Sequence, residues 1–268
     1  MDLIAATFYG LIQGLTEFLP VSSSGHLALL PHWLGIEDPG VVFDLSMHLG
    51  TALSIALYFR KDIVGLSKEL LSCVKERSFN RQEGARAFNM TFATLITVIG
   101  VLLLKDLAKD FGRSPTSIAF NLIVFGLFML VSDKIMKDEE TGQMERTQWI
   151  KAGAIGLFQA LAIFPGVSRS GATLTISRFL NLGRDEASRF SFLLSLPLIV
   201  AGFIYKFPEF LKGGESFDIG LCLIGMGISF ITGLVTIHYF LKFIKKAGLL
   251  PFALYRVVMA FVVWKSLT

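Results

Sequence analysis

The sequence predicts an all-α integral membrane protein: six transmembrane helices and two re-entrant helix hairpins in an inverted-topology repeat. Three observations predict it. Of the 268 residues 53% are apolar and 17% charged, with mean hydropathy +0.63; a soluble domain usually carries about 25% charged residues. Apolar runs of membrane-spanning length recur along the chain. And two seventeen-residue stretches, 10–26 and 156–172, are identical at nine positions.

The elements follow in order. Residues 3–19 are apolar, but Asp2 stands where a secretory signal would be basic and no small-residue cleavage site follows, so the stretch is read as part of the mature protein. A Pro/Ser/Gly break at 20–25 and a second short apolar piece complete a hairpin. A membrane helix needs about 20 mostly apolar residues, and spans are expected at about 41–59, 87–104 and 117–132. Residues 152–164, broken at 165–171, form the second hairpin; spans at about 190–206, 219–241 and 250–264 follow. Irregular backbone at membrane depth is tolerated only where protein or a water-filled cavity surrounds it, which is why each break is read as a re-entrant tip. The whole is one membrane domain, residues 1–268, with repeats at about 1–134 and 146–268. Three crossings per repeat is an odd number, so the second copy starts on the opposite side.

Charge orients the spans. With the loop after the first span inside, seventeen Lys and Arg lie on the cytoplasmic side and six outside, and Arg169 and Arg256 lie within the membrane. Both ends then face out, and the first hairpin enters from outside. The net charge of +4 is a topology signal, and no RNA-binding signature or basic amphipathic arm accompanies it, which argues against a nucleic-acid partner. Cys73 and Cys222 have no metal-ligand spacing and fall on opposite sides, so they are read as structural thiols.

Ionisable groups inside membrane segments are costly and mark function by default. Here they are Glu17, His26, Asp44, His48, Arg169, His238 and Arg256. Gln13 and Glu17 share a helix face, as do Ser23 and His26. Ser22 and Ser168 are expected N-caps of the helices after the breaks, whose free N–H groups make anion sites. Where the copies differ, Glu17, Ser23 and His26 face Ile163, Arg169 and Ala172. One loop carries an acid and a base, the other a planar cation that matches phosphate oxygens. Positioning and charge neutralisation of this kind are what phosphoryl transfer uses. Against this stands close packing, for which small residues such as Ser24 and Ser170 suffice alone. Asp44 and His48 either line the cavity or pair with each other. Arg256 is expected to meet Glu17 or a main-chain carbonyl. His238 and His32 read as snorkelling or interfacial, and the run 137–140 as a solvated loop.

The pattern Gln13-x-x-x-Glu17, then Pro20-Val-Ser-Ser-Ser-Gly-His26, then Pro165-Gly-Val-Ser-Arg-Ser-Gly-Ala-Thr173, resembles the undecaprenyl pyrophosphate phosphatases of the bacitracin-resistance type. The resemblance runs over essentially the full length, including 43–50 and 190–195. It implies release of the terminal phosphate of undecaprenyl pyrophosphate at the outer face of the bacterial inner membrane. That recycles the lipid carrier of peptidoglycan and other wall polymers. Residue by residue, it implies that Gln13 and Glu17 are the acidic-motif pair. Ser22, Ser23, Ser24 and His26 become the catalytic loop, and Ser168, Arg169, Ser170 and Thr173 the phosphate-binding loop. It also implies a divalent cation, Mg²⁺ or Ca²⁺, with Glu17 as its ligand. Many members have Glu at the position of Gln13, so a two-carboxylate metal site is incomplete here; many have Gln at His48, so that imidazole is not expected to be essential.

Ser23 is expected to be the nucleophile, with His26 as proton relay or alternative nucleophile, Glu17 as base or cation ligand, and Arg169 as clamp on the transferred phosphoryl group. The polyprenyl pyrophosphate would approach laterally from the bilayer; a homodimer is compatible with the sequence. The rival reading is a transporter or lipid flippase, since inverted repeats with broken helices are typical of transporters. The asymmetry of the loops, with Glu17, Ser23 and His26 lacking counterparts, favours chemistry.

Overall fold

The computed structural model describes residues 2–75, 84–111, 114–135, 148–211 and 218–267, without the side chains of 110–111, 206–211 and 266–267. The charge run 137–140 and several of the counted loop cations, such as Arg77, Arg81 and Lys212, lie outside the described residues. The described residues form helices α1 (Leu3–Thr16), α2 (Ser23–Leu34), α3 (Val41–Tyr58), α4 (Arg60–Lys75), α5 (Ala85–Phe111) and α6 (Pro115–Ile135). These are followed by α7 (Trp149–Ala160), α8 (Arg169–Phe179), α9 (Arg184–Leu211), α10 (Ile219–Ala247) and α11 (Leu250–Leu267). A 3₁₀ turn, Leu161–Ile163, prolongs α7.

The protein is an all-α membrane protein. Among the described residues five helices, α3, α5, α6, α9 and α10, are long and apolar enough to cross a bilayer, and α1 and the α7 segment are shorter apolar helices. They form where the apolar runs predicted them, but several run further. The span expected at 190–206 starts at Arg184, where Asp185 and Glu186 favour a helix N-terminus. The segment 60–75, read as a cytoplasmic loop, is instead helix α4. Its average polarity hides a two-sided helix: Cys73 is buried and Ile63 and Leu66 pack on the core, while Lys61, Lys68 and Lys75 occupy another face. The pattern is amphipathic, not loop-like.

Local chemistry sets the ends. The Asp2 carboxylate accepts from Ala5 N at 2.8 Å and caps α1, and Asp218 caps α10 in the same way. Gly35, at φ 63°, closes α2 in the left-handed conformation that glycine adopts at no steric cost.

The first hairpin (α1, α2) packs mainly on helices from the second half of the chain, α10 and α11. The second hairpin (α7, α8) packs mainly on helices from the first half, α5 and α6, with α8 also lying against α9. Close approach depends on glycine: a Cβ at Gly14 would lie 2.7 Å from Thr232 Cβ and 2.8 Å from the Ser229 carbonyl. Beneath the loops, Phe18, Phe192, Phe240 and Phe252 run through the core with successive ring centroids 5.3–5.6 Å apart. Both cysteines are buried and free. At the end of α6, Asp133 receives Arg184 Nε at 2.9 Å and Leu249 N at 2.8 Å, with the buried Arg178 Nε at 3.4 Å. One carboxylate thus ties α6, α8, α9 and the α10–α11 turn together.

Gly14→Leu forces α1 away from α10. The expected outcome is a clear fall in detergent melting temperature, from an overpacking cost of about 1–3 kcal/mol, whereas Gly65→Ala, inside α4 where an added Cβ meets nothing within 4 Å, leaves it the same or slightly higher, because alanine favours a helix interior.

Candidate functional site

Both loop tips are built on the same backbone device. Ser22 and Ser168 have φ of 75° and 68°, a region that non-glycine residues seldom adopt. Each hydroxyl then accepts from the N–H three residues on, Gly25 N at 3.4 Å and Gly171 N at 3.1 Å. The serines are the N-caps that the sequence predicts, and they use one of the N–H groups expected to bind an anion. Each cap is also paired with the next serine but one: Ser22 Oγ with Ser24 Oγ at 3.2 Å, Ser168 Oγ with Ser170 Oγ at 3.3 Å.

The reactive groups converge on Glu17, which is buried just after α1. Its Oε2 accepts from Ser23 Oγ at 2.8 Å and from Gln13 Nε2 at 2.9 Å. Its Oε1 takes the guanidinium of Arg169, which reaches it from the other loop. Arg169 Nη1 is fixed on the Ser195 carbonyl at 3.3 Å. His48 turns its Nε2 to within 3.7 Å of Glu17 Oε2, while its Nδ1 donates to the Asp44 carbonyl at 2.8 Å. Of the two readings of Asp44 and His48, the imidazole therefore lines the site. Ser23 is only half-buried and Ser24 is exposed, so the serine beside the carboxylate is reachable.

Other predicted residues serve differently. The Thr173 hydroxyl is fully buried, against Ser191 Oγ at 2.5 Å and the Arg169 carbonyl at 2.9 Å, so it steadies Arg169's helix rather than facing the loops' gap. Ser170 donates to the Leu19 carbonyl at 3.1 Å, joining the two loops. His26 makes neither of its ring contacts to Glu17 or Ser23: Nδ1 meets the Ser22 carbonyl at 2.8 Å and Nε2 meets the Tyr255 hydroxyl at 2.7 Å. Gln13's counterpart, Gln159, lies away from the site and donates to Thr97 Oγ1 at 3.2 Å.

Arg256, fully buried in α11, finds the main-chain partners anticipated and not Glu17. Its nitrogens lie within hydrogen-bond distance of Pro20 O (3.3 Å) in the first loop and Gly166 O (2.7 Å) and Val167 O (3.1 Å) in the second. Leu122 O (3.1 Å) and Asn121 O (3.3 Å) of α6 complete the set. Asn121 Nδ2 adds a bond to the Pro165 carbonyl at 2.9 Å. Sequence reasoning missed Asn121 and Tyr255: an amide and a phenol in apolar helices carry no motif.

A divalent cation fits this donor set only in part. Among the described residues no cluster of three or more His, Cys, Asp or Glu could form a cage. Glu17 is the one carboxylate at the loops, and beside it the buried Gln13 Oε1 has no hydrogen-bond partner. Hard cations accept such pairs of oxygens when substrate phosphates supply the remaining ligands.

The chain matches the model of the family described as bacitracin resistance protein BacA over residues 6–262. It is 41% identical over 267 residues to a Marinobacter nauticus protein named undecaprenyl-diphosphatase, covering 100% of both chains. Proteins of the same name from Saccharophagus degradans and Teredinibacter turnerae are 41% and 40% identical. The first match covers 97% of this chain and 96% of the relative, the second 97% of each.

Arg256→Lys puts a point charge where a planar fork served both loops and α6. The expected outcome is a lower melting temperature together with loss of most activity. Arg256→Met, which also removes the charge, is expected to be worse on both measures, because the loop carbonyls are then buried without a donor.

Proposed function

Because the chain belongs to the bacitracin resistance protein family BacA, we propose that it hydrolyses undecaprenyl pyrophosphate to undecaprenyl phosphate and inorganic phosphate. The observation that carries this reading is the hydrogen bond from Ser23 Oγ to Glu17, a carboxylate that also pairs with Arg169 of the opposite loop. A serine activated by a base, with a cation beside it, is an arrangement that phosphoryl transfer can use.

The chemistry follows from the contacts. The incoming pyrophosphate competes for the Arg169 guanidinium, whose fork suits phosphate oxygens at least as well as carboxylate ones. As Arg169 turns to the phosphate, Glu17 loses its cation and becomes a stronger base. Glu17 then takes the Ser23 proton while Oγ bonds to the terminal phosphorus and the bridging P–O bond breaks, releasing the lipid monophosphate. Water attacks the phosphoserine, Glu17 returns its proton to Oγ, and both water hydrogens leave on the inorganic phosphate. Arg169 stabilises the charge on the equatorial oxygens in both steps. Glu17 and Gln13 would hold an Mg²⁺ or Ca²⁺ that arrives with the pyrophosphate, and the ion would neutralise phosphate charge.

The packing of each hairpin largely on helices of the other half of the chain supports an inverted repeat, 1–134 against 146–268. With the charge asymmetry, this supports six spans in a bacterial inner membrane and a site opening to the periplasm or cell exterior, where the pyrophosphate of the spent carrier lies. The lipid tail stays among the apolar helix faces, and the product feeds peptidoglycan and wall-polymer synthesis.

Purified protein in detergent with a polyprenyl pyrophosphate tests the reading. Phosphate release is expected with Mg²⁺ or Ca²⁺, and Ser23→Ala, Glu17→Gln and Arg169→Lys are each expected to lose at least about 100-fold in kcat, as removal of a nucleophile, base or charge clamp does. Near-native turnover by Ser23→Ala alongside an inert His26→Ala makes His26 the nucleophile. No phosphate release with any divalent cation points to transport. Gln13→Glu is expected to lower the cation concentration giving half-maximal activity several-fold, since it adds the second carboxylate oxygen ligand.

A further inference from the structure

We propose that Tyr255 is a positioning residue of this site, acting through His26; the proposal rests on the phosphatase reading. His26 is buried, and its two nitrogens are committed to different partners. The Ser22 carbonyl can only accept, so Nδ1 carries the proton at that 2.8 Å contact. In the neutral imidazole Nε2 is then the acceptor, and the phenol at 2.7 Å is its donor. The two rings lie nearly parallel, 7° apart in plane with centroids 5.6 Å apart, so the ring face as well as the nitrogen is fixed.

The next residue explains why a phenol on the last helix can do this. Arg256 binds α11 to both loops through main-chain carbonyls, so Tyr255 is set relative to the Ser22–His26 turn by the same contact that sets the loops. Tyr255 itself is 45% exposed, which places its hydroxyl at the boundary between the buried imidazole and the exterior of the fold. The consequence for the reaction is a division of proton acceptors. Ser23's proton lies on the line to Glu17, while the His26 lone pair is aimed at α11 and kept there. The Ser22 carbonyl thus sets the Nδ1–H tautomer, and Tyr255, by occupying the Nε2 lone pair, keeps the imidazole from displacing Glu17 as the partner of Ser23. A main-chain carbonyl on Nδ1–H fixes the state of the opposite nitrogen in this way at many histidine sites.

The test is Tyr255→Phe in the full-length protein, with Tyr205→Phe, an exposed tyrosine elsewhere, as control. The chain has four histidines, so ¹⁵N-histidine NMR in detergent, assigned with His26→Gln, reads the ring directly. The expected result is an Nδ1–H tautomer with a hydrogen-bonded Nε2 in the unmodified protein. In Tyr255→Phe the hydrogen-bonded Nε2 signal is lost and kcat falls roughly tenfold, the lower range for loss of a group that orients a histidine. KM stays within about twofold, since a positioning loss falls on the transition state. The melting temperature is unchanged, which separates positioning from folding. An Nε2–H tautomer in the unmodified protein overturns the proposal, and so does Tyr255→Phe with full kcat or unaltered His26 nitrogens. Failure of the phosphatase reading looks different: no phosphate is released by the unmodified protein, while the nitrogen signals still decide whether Tyr255 holds Nε2.

Discussion

A single buried guanidinium makes the two broken helices possible. Backbone that leaves a helix inside a membrane must find new hydrogen-bond partners, because lipid offers none. The carbonyls of Pro20, Gly166 and Val167 find theirs in Arg256, which also meets Asn121 and Leu122 of α6. The exchange benefits both sides. A cation buried without partners is prohibitively costly, and loop carbonyls buried without donors cost roughly 1–3 kcal/mol each. Brought together, they satisfy one another and fix the distance between the loops. Glu17 and Arg169 can form their contact across that gap only because α11 has already set it.

On this shared frame the two loops carry different chemistry. Both use a left-handed serine cap, a serine pair and a glutamine six or seven residues before the break. In the first, Gln13 supports Glu17; in the second, Gln159 turns to Thr97, which in turn bonds the Gly156 carbonyl at 3.0 Å and seals α7 against α5. The same residue type therefore serves the site in one copy and packing in the other. What decides is the neighbour four residues on, Glu17 in the first and Ile163 in the second.

Much of this was legible in the sequence, for identifiable reasons. Apolar runs and Pro/Ser/Gly breaks are local signals, and they placed the helices, the tips and the serine caps. Charge asymmetry between the copies singled out Glu17, Ser23 and Arg169, which the structure brings together. Other features depend on the direction a side chain takes after folding, which no spacing reveals. His48 points to Glu17 rather than pairing with Asp44's side chain; Thr173 turns inward to Ser191; and Tyr255 reaches His26 across 229 positions. Helix α4 was missed for a different reason: its buried stripe is narrow, and average polarity hid it.

The Arg256 contact also bears on the transporter alternative. Alternating access works by rocking one repeat against the other around a fixed site, and here the two loops would have to part. Parting them strips a buried cation of the carbonyls of one loop or of the other, and breaking a buried charged contact on one side costs about 3–5 kcal/mol. The Ser170–Leu19 bond crosses the same gap and would break too. A hydrolase needs no such movement. Its substrate carries its charge at one end, so the head group can enter between loops that stay together while the tail remains in lipid. The contacts that make this fold stable are therefore the ones a carrier would have to give up in every cycle.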